Sequence, residues 1–160
     1  MWITYNRTTI KQDLIRVFVD PSIFDKVIEF KLINERGNIE AGEGMGVSRE
    51  VYTLFWNEFA ISMTIGERER VPFVRHDYFI EEWEAVGRIL VKGFTSVDYF
   101  PTFLSKAVVC FCLFGTEVTE DIFLSSFKQY LSQIEEELIE SVIDAIKDNS
   151  AILEPVQIYW

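Results

Sequence analysis

Between Val47 and Met63 the apolar residues Val47, Val51, Leu54, Phe55, Phe59 and Met63 recur at steps of three and four. At 3.6 residues per turn this period gathers them onto one stripe of a helix, and a stripe of that kind needs an opposing surface to bury it. The material for a core is ample. The chain has 160 residues, 49% of them hydrophobic, with 14 Phe, 6 Tyr and 4 Trp, enough for a single domain over 1–160.

Around that helix the periods change along the chain. Thr8 and Thr9 offer an N-cap to a short helix carrying Ile10, Leu14, Val17 and Phe18 and ending at Asp20-Pro21. Val27–Ile33 alternates, with Ile28, Phe30 and Leu32 on one face and Glu29 and Lys31 on the other, which predicts a half-buried strand. Asn34–Gly46 holds four of the eight glycines and no sustained period, so it reads as a loop. Gly66–Val71 reads as a solvated connector, with a short extended piece at Pro72–Val74. Asp77 then caps a helix with Phe79, Trp83, Val86, Leu90 and Phe94 inward, and Gly87 is expected where a neighbour approaches closely. Ser96 or Asp98 starts a further helix that buries Phe103, Leu104, Ala107, Val108 and Phe111 and stops at Gly115. Thr119 opens another through Phe127 and Leu131. Ser132 and Glu135 have capping-box spacing ahead of Ile134, Leu138, Val142 and Ile146, and the tail Ala151–Trp160 suits an extended segment. The fold class is therefore α+β, mostly helical, with a small β element near the N-terminus.

Composition excludes several functions. A formal charge of −11 opposes binding to nucleic acid, whose affinity comes from Lys and Arg displacing counterions, and it disfavours anionic membrane surfaces in the same way. The longest nearly uncharged apolar run, Ala107–Phe114, is about eight residues against the ~20 of a spanning helix. Nothing at Met1–Arg7 resembles a secretion signal. Proteins are the expected partners, inside the cell.

Catalytic constellations are sparse. His76 is the only histidine and Cys110 and Cys112 the only cysteines, too few for a zinc site, so no metal and no cofactor are expected. His76, beside Arg75 and Asp77, reads as part of a surface cap. Cys110 and Cys112 stand two apart in Ala-Val-Val-Cys-Phe-Cys-Leu-Phe, where a mutual disulfide is implausible and reduced core residues are expected. Gly42-Glu43-Gly44-Met45-Gly46 precedes a helix as a phosphate loop would, but no Walker lysine follows and Glu40 and Glu43 repel phosphate. The run Glu135-Glu136-Glu137 with Glu140 reads as a solvated helix face.

Four segments in order carry a family resemblance. Ile3-Thr4-Tyr5-Asn6-Arg7 ends an extended stretch ahead of a helix. Glu40-Ala41-Gly42 leads to Gly44-Met45-Gly46-Val47-Ser48-Arg49-Glu50-Val51-Tyr52. Glu82-Trp83-Glu84-Ala85-Val86-Gly87-Arg88-Ile89-Leu90 and Tyr99-Phe100-Pro101-Thr102-Phe103-Leu104 follow. Together they resemble the N-terminal lobe of a HECT-type ubiquitin ligase domain, most clearly over residues 3–115. The chain departs from the family where Glu43 and Met45 separate the glycines and where Lys92-Gly93 replaces small residues.

The resemblance implies a HECT N-lobe-like helical fold that acts as a scaffold for ubiquitin transfer onto protein substrates. The family's thioester cysteine belongs to a separate C-terminal lobe with no counterpart in these 160 residues, so no catalytic residue is assigned. Gly42, Gly44, Gly46, Arg49 and Glu50 are implied as the structural centre of the motif, with Arg49 and Glu50 tying the loop to neighbouring helices, and Gly87 and Arg88 as a second element. Implied partners are a ubiquitin-conjugating enzyme, ubiquitin or a C-terminal lobe. Two alternatives stand beside this: a degenerate HECT-like interaction module without ligase activity, and an unrelated helical enzyme using Glu40, Glu43 and Glu50.

Overall fold

The structure is a computed structural model that describes residues 1–34, 36–115 and 118–150. Its elements are β1 (Trp2–Asn6), α1 (Ile10–Phe18), a 3₁₀ turn (Pro21–Asp25), β2 (Glu29–Ile33), α2 (Met45–Met63), β3 (Thr64–Ile65), β4 (Val71–Pro72), α3 (Ile80–Val97), α4 (Lys106–Phe114), α5 (Glu120–Tyr130) and α6 (Gln133–Ser150). The fold is mostly helical α+β. The residues group into two compact units, one of Met1–Ile65 with Pro72–Leu104 and one of Gly66–Val71 with the chain from Ser105 onward. The tail Ala151–Trp160 lies outside the described residues.

In the first unit β1 and β2 pair in parallel, Trp2 opposite Glu29 and Tyr5 opposite Leu32, with α1 as their crossover. Alternation buries Ile3, Tyr5, Phe30 and Leu32 on one face. α1 follows its predicted span but also buries Ile15 and Lys11. The Lys11 ammonium donates to Ser62 Oγ at 2.7 Å and pairs with Glu58 at 3.7 Å, so the buried charge is both hydrogen-bonded and paired. α2 begins two residues earlier than its period predicts. Its buried face is also wider, because Tyr52 and Trp56 join Val51, Phe55, Phe59 and Met63 at about 1% exposure or less. Trp56 meets Phe55 and Phe59 at 5.1 Å and Phe103 at 6.3 Å between ring centres, mostly edge to face.

α3 differs from its prediction in three ways. Its N-cap is Phe79, whose amide binds the Glu82 carboxylate at 2.7 Å, while Asp77 is taken by the Arg75 guanidinium. The inward face is Ala85, Val86, Ile89, Gly93 and Val97, so Phe79 and Phe94 stand exposed. Gly87 has open space where a Cβ would sit. The close approach is at Gly93, where a Cβ would come within 3.1 Å of the Tyr52 ring. Nor does a helix start at Ser96 or Asp98. Ser96 lies inside α3, and Asp98, at φ 52°, ends it in the left-handed conformation, with the Asp98 and Tyr99 amides returning to Phe94 and Gly93 carbonyls.

In the second unit the segment Gly66–Val71 is not merely solvated. Glu69 is buried at 6% exposure; it accepts from the Lys106 amide at 2.9 Å and from Ser126 Oγ at 2.7 Å, while Ser126 Oγ accepts from the Ala107 amide at 3.0 Å. These side chains satisfy the first two amides of α4, whose own N-cap residue Ser105 makes no side-chain cap. Gly115 stops α4 as its sequence implies. Leu104, in the first unit, and Ala107 are buried as predicted, but Phe111 is 53% exposed. Ser132 and Glu135 form the expected capping box of α6, with Ser132 N and Oγ donating to Glu135 at 2.9 and 2.7 Å. Of the acidic run, Glu136 pairs with Arg68 and Glu140 with Lys128.

Candidate functional site

Of the residues singled out by the resemblance, Gly42, Gly44, Gly46, Arg49 and Glu50 lie at the N-terminus of α2, while Gly87 and Arg88 lie apart from them on α3. β1 ends just short of Arg7, whose Nε and Nη2 donate to both oxygens of Glu40 at 3.0 and 2.9 Å; Nη1 donates to Glu50 at 2.6 Å. A guanidinium fork grips one carboxylate with two parallel bonds and still has a donor for a second. The result ties the end of β1, the loop after β2 and the first turns of α2 into one cluster. Glu40 also returns its amide to the Leu32 carbonyl at 2.8 Å, fixing the loop on β2.

Within that loop Gly44 stands at φ +88° as the N-cap of α2, a conformation that side chains rarely adopt, and a Cβ on Gly42 would meet Val47 at 3.0 Å. Gly46 lies in the first turn of α2 with open space around it, so its backbone demands nothing special. Arg49 Nε donates to the Val97 carbonyl at 3.0 Å, joining α2 to the end of α3. Arg88 reaches the Phe18 and Val19 carbonyls at 3.1 and 3.2 Å and pairs with Glu84. It therefore closes the C-terminus of α1, where backbone acceptors lack helical partners. Lys92 does the same for the Phe24 and Lys26 carbonyls.

Glu40 is held below the usual carboxylate range by its hydrogen bonds to Arg7, and the Arg7 guanidinium is pushed up in return. A depressed carboxyl contributes stability above its unfolded pKa and loses it as the pH falls through the folded value. The melting temperature of the native chain should therefore fall more steeply between about pH 5 and pH 3 than that of Arg7→Met. Thermal melts of both proteins across that range check this; parallel curves would remove Arg7 as the cause.

Beside the cluster lies an open groove of about 720 Å³ lined by residues from β1, the 3₁₀ turn, β2, the glycine loop, the start of α2 and α3. Its apolar wall is Trp2, Phe24, Val27 and Met45, exposed at 53, 42, 78 and 65%. Lys31 stacks over the Trp2 ring at 4.2 Å and reaches Glu43 at 3.9 Å. Sequence periodicity could not find this wall, because its four residues come from three stretches far apart in the chain. The one available signal was Val27, an apolar residue just ahead of the strand with no periodic partner.

The other sequence candidates are dispersed. Cys112 is exposed and Cys110 half-buried, both as free thiols; two apart on a helix they point in nearly opposite directions, and the core placement expected of them fails. His76 is exposed in the turn before α3. The carboxylates of the unrelated-enzyme alternative do not converge as acid and base: Arg7 takes Glu40 and Glu50, Glu43 faces Lys31, and Glu40 is shifted down where a general acid is shifted up. Among the described residues no group of three or more His, Cys, Asp or Glu is placed to hold a metal ion, and no helix is long and apolar enough to cross a membrane. No protein-family profile, curated protein sequence or solved structure matches this chain.

Proposed function

We propose that this chain is the N-lobe portion of a HECT-like E3 ubiquitin ligase, a scaffold for ubiquitin transfer that does not supply the nucleophile. The observation that carries this reading is the Arg7 cluster. Residues from two separate motifs of the resemblance, Arg7 at the end of the first and Glu40 and Glu50 in the second, are bound to one another, and Arg49 of the second is bound to the end of α3. In such a ligase ubiquitin passes from a conjugating-enzyme thioester to a ligase cysteine and then to a lysine amine. That cysteine would come from a segment outside these 160 residues, and the work of the chain is intracellular.

A second reading, a HECT-like interaction module without ligase activity, is favoured by the exposed wall of Trp2, Val27 and Met45, since an apolar groove with a polar rim suits protein docking. One experiment separates the readings. The chain, mixed with activating enzyme, conjugating enzymes and ubiquitin, is expected to form no reducible ubiquitin adduct, while binding a conjugating enzyme or ubiquitin in a titration followed by NMR. A reducible adduct abolished by Cys110→Ala or Cys112→Ala overturns both. Absence of binding to every conjugating enzyme and to ubiquitin leaves the interaction module.

A further inference from the structure

α6 carries a second exposed apolar surface, remote in sequence from the motifs used above. Ile134, Leu138 and Val142 follow at steps of four and are 80, 64 and 49% exposed. At ~1.5 Å per residue they form a row ~12 Å long on one side of the helix. The row has acidic borders. The helical repeat puts Glu137, Asp144 and Asp148 along one edge and Glu135 beside the other. Among the described residues Glu135 and Glu137 are hydrogen-bonded to neutral donors alone, Ser132 and Gln133, and neither is in an ion pair. Lys147, the one cation of α6, reaches Asp144 at 3.8 Å but projects from the opposite side of the helix.

An apolar row between acidic borders selects its occupant by sign. A second copy of this chain would set Glu137 and its neighbours against their own kind, in a unit whose residues 66–71 and 105–160 include twelve acidic and five basic side chains. We propose that this face of α6 docks an amphipathic helix of another protein whose apolar stripe is bordered by Lys and Arg. Apolar contact supplies the affinity and the charged borders fix register and exclude acidic helices. The inference rests on α6 alone and stands independently of the ligase reading.

The test uses the full chain and three fluorescent peptides of equal length: a helix with a Leu stripe bordered by Lys, a permuted peptide of the same composition without the stripe, and the striped peptide with Glu in place of Lys. Anisotropy titrations are expected to show the Lys-bordered helix binding at least about tenfold more tightly than either of the others. Leu138→Gln with Val142→Gln, both at exposed positions, should weaken it by a similar factor while leaving the helical circular dichroism unchanged. Glu135→Lys with Glu137→Lys should turn the preference toward the Glu-bordered helix. Equal binding of the permuted peptide would overturn the proposal, reducing the contact to net charge. Sedimentation of the chain as a dimer that Leu138→Gln dissolves would also overturn it, in favour of a second copy.

Discussion

Trp56→Ala should lower the unfolding free energy of the unit that holds it by about 3–5 kcal/mol, the range for truncating a buried aromatic residue. Trp56 is 1% exposed and touches rings from both α2 and the segment after α3, so its removal leaves a cavity that several rigid rings must collapse to fill. Its Nε1 has no acceptor among the described residues. The loss is therefore one of apolar contact, with no partner left unsatisfied, and Trp56→Phe should recover most of it. Against a typical stability of about 5–15 kcal/mol, the alanine variant is marginal. Urea denaturation followed at 222 nm measures the change, with Ile61→Ala, at an 84% exposed position of the same helix, expected within about 0.5 kcal/mol of the native chain. A midpoint for Trp56→Ala equal to that control would remove Trp56 from the core.

Glu69→Ala is the second large effect, about 2–3 kcal/mol from the loss of a helix cap and of a buried acceptor. The carboxylate holds the Lys106 amide directly and the Ala107 amide through Ser126. Without it the Lys106 amide and the Ser126 hydroxyl lose their acceptor, and the Ala107 amide keeps Ser126 Oγ but loses the carboxylate that orients it. The loss should be local, so hydrogen exchange should accelerate at the amides of Lys106 and Ala107 well before it does in α2. Glu69→Gln keeps an acceptor oxygen and should fall between the two. Unchanged exchange at Lys106 in the alanine variant would show that the cap is satisfied some other way.

The elements legible in the sequence were those whose signal is local. The α2 stripe, the β2 alternation, the Ser132–Glu135 box and the Gly115 stop each depend on residues a few positions apart, and each stands near its predicted place. What could not be read depends on partners distant in sequence. Asp98 has a side chain that suits either an N-cap or a left-handed C-terminus, and only the packing of Val97 and Gly93 decides for the latter. Gly87 and Gly93 are alike as letters; the ring of Tyr52 makes one a point of close approach and leaves the other open. Glu69 sits in a run that reads Glu-Arg-Glu-Arg, and its burial follows from Ser126, 57 residues later. At the candidate site Arg7, Glu40 and Glu50 were each visible in motifs, but the fork that joins them belongs to the fold.

The chain crosses between its two units three times, after Ile65, after Val71 and after Leu104. A break after Ile65 divides the first unit alone, one after Val71 divides both, and one after Leu104 keeps the first whole and divides the second. Cutting after Leu104 leaves Glu69 on the wrong fragment, and the Lys106 amide that starts α4 then loses its acceptor. For the inheritance of this protein the second unit depends on a segment set inside the first: a recombination event that carried residues 105 onward into another protein would deliver the helices without the carboxylate that starts the first of them.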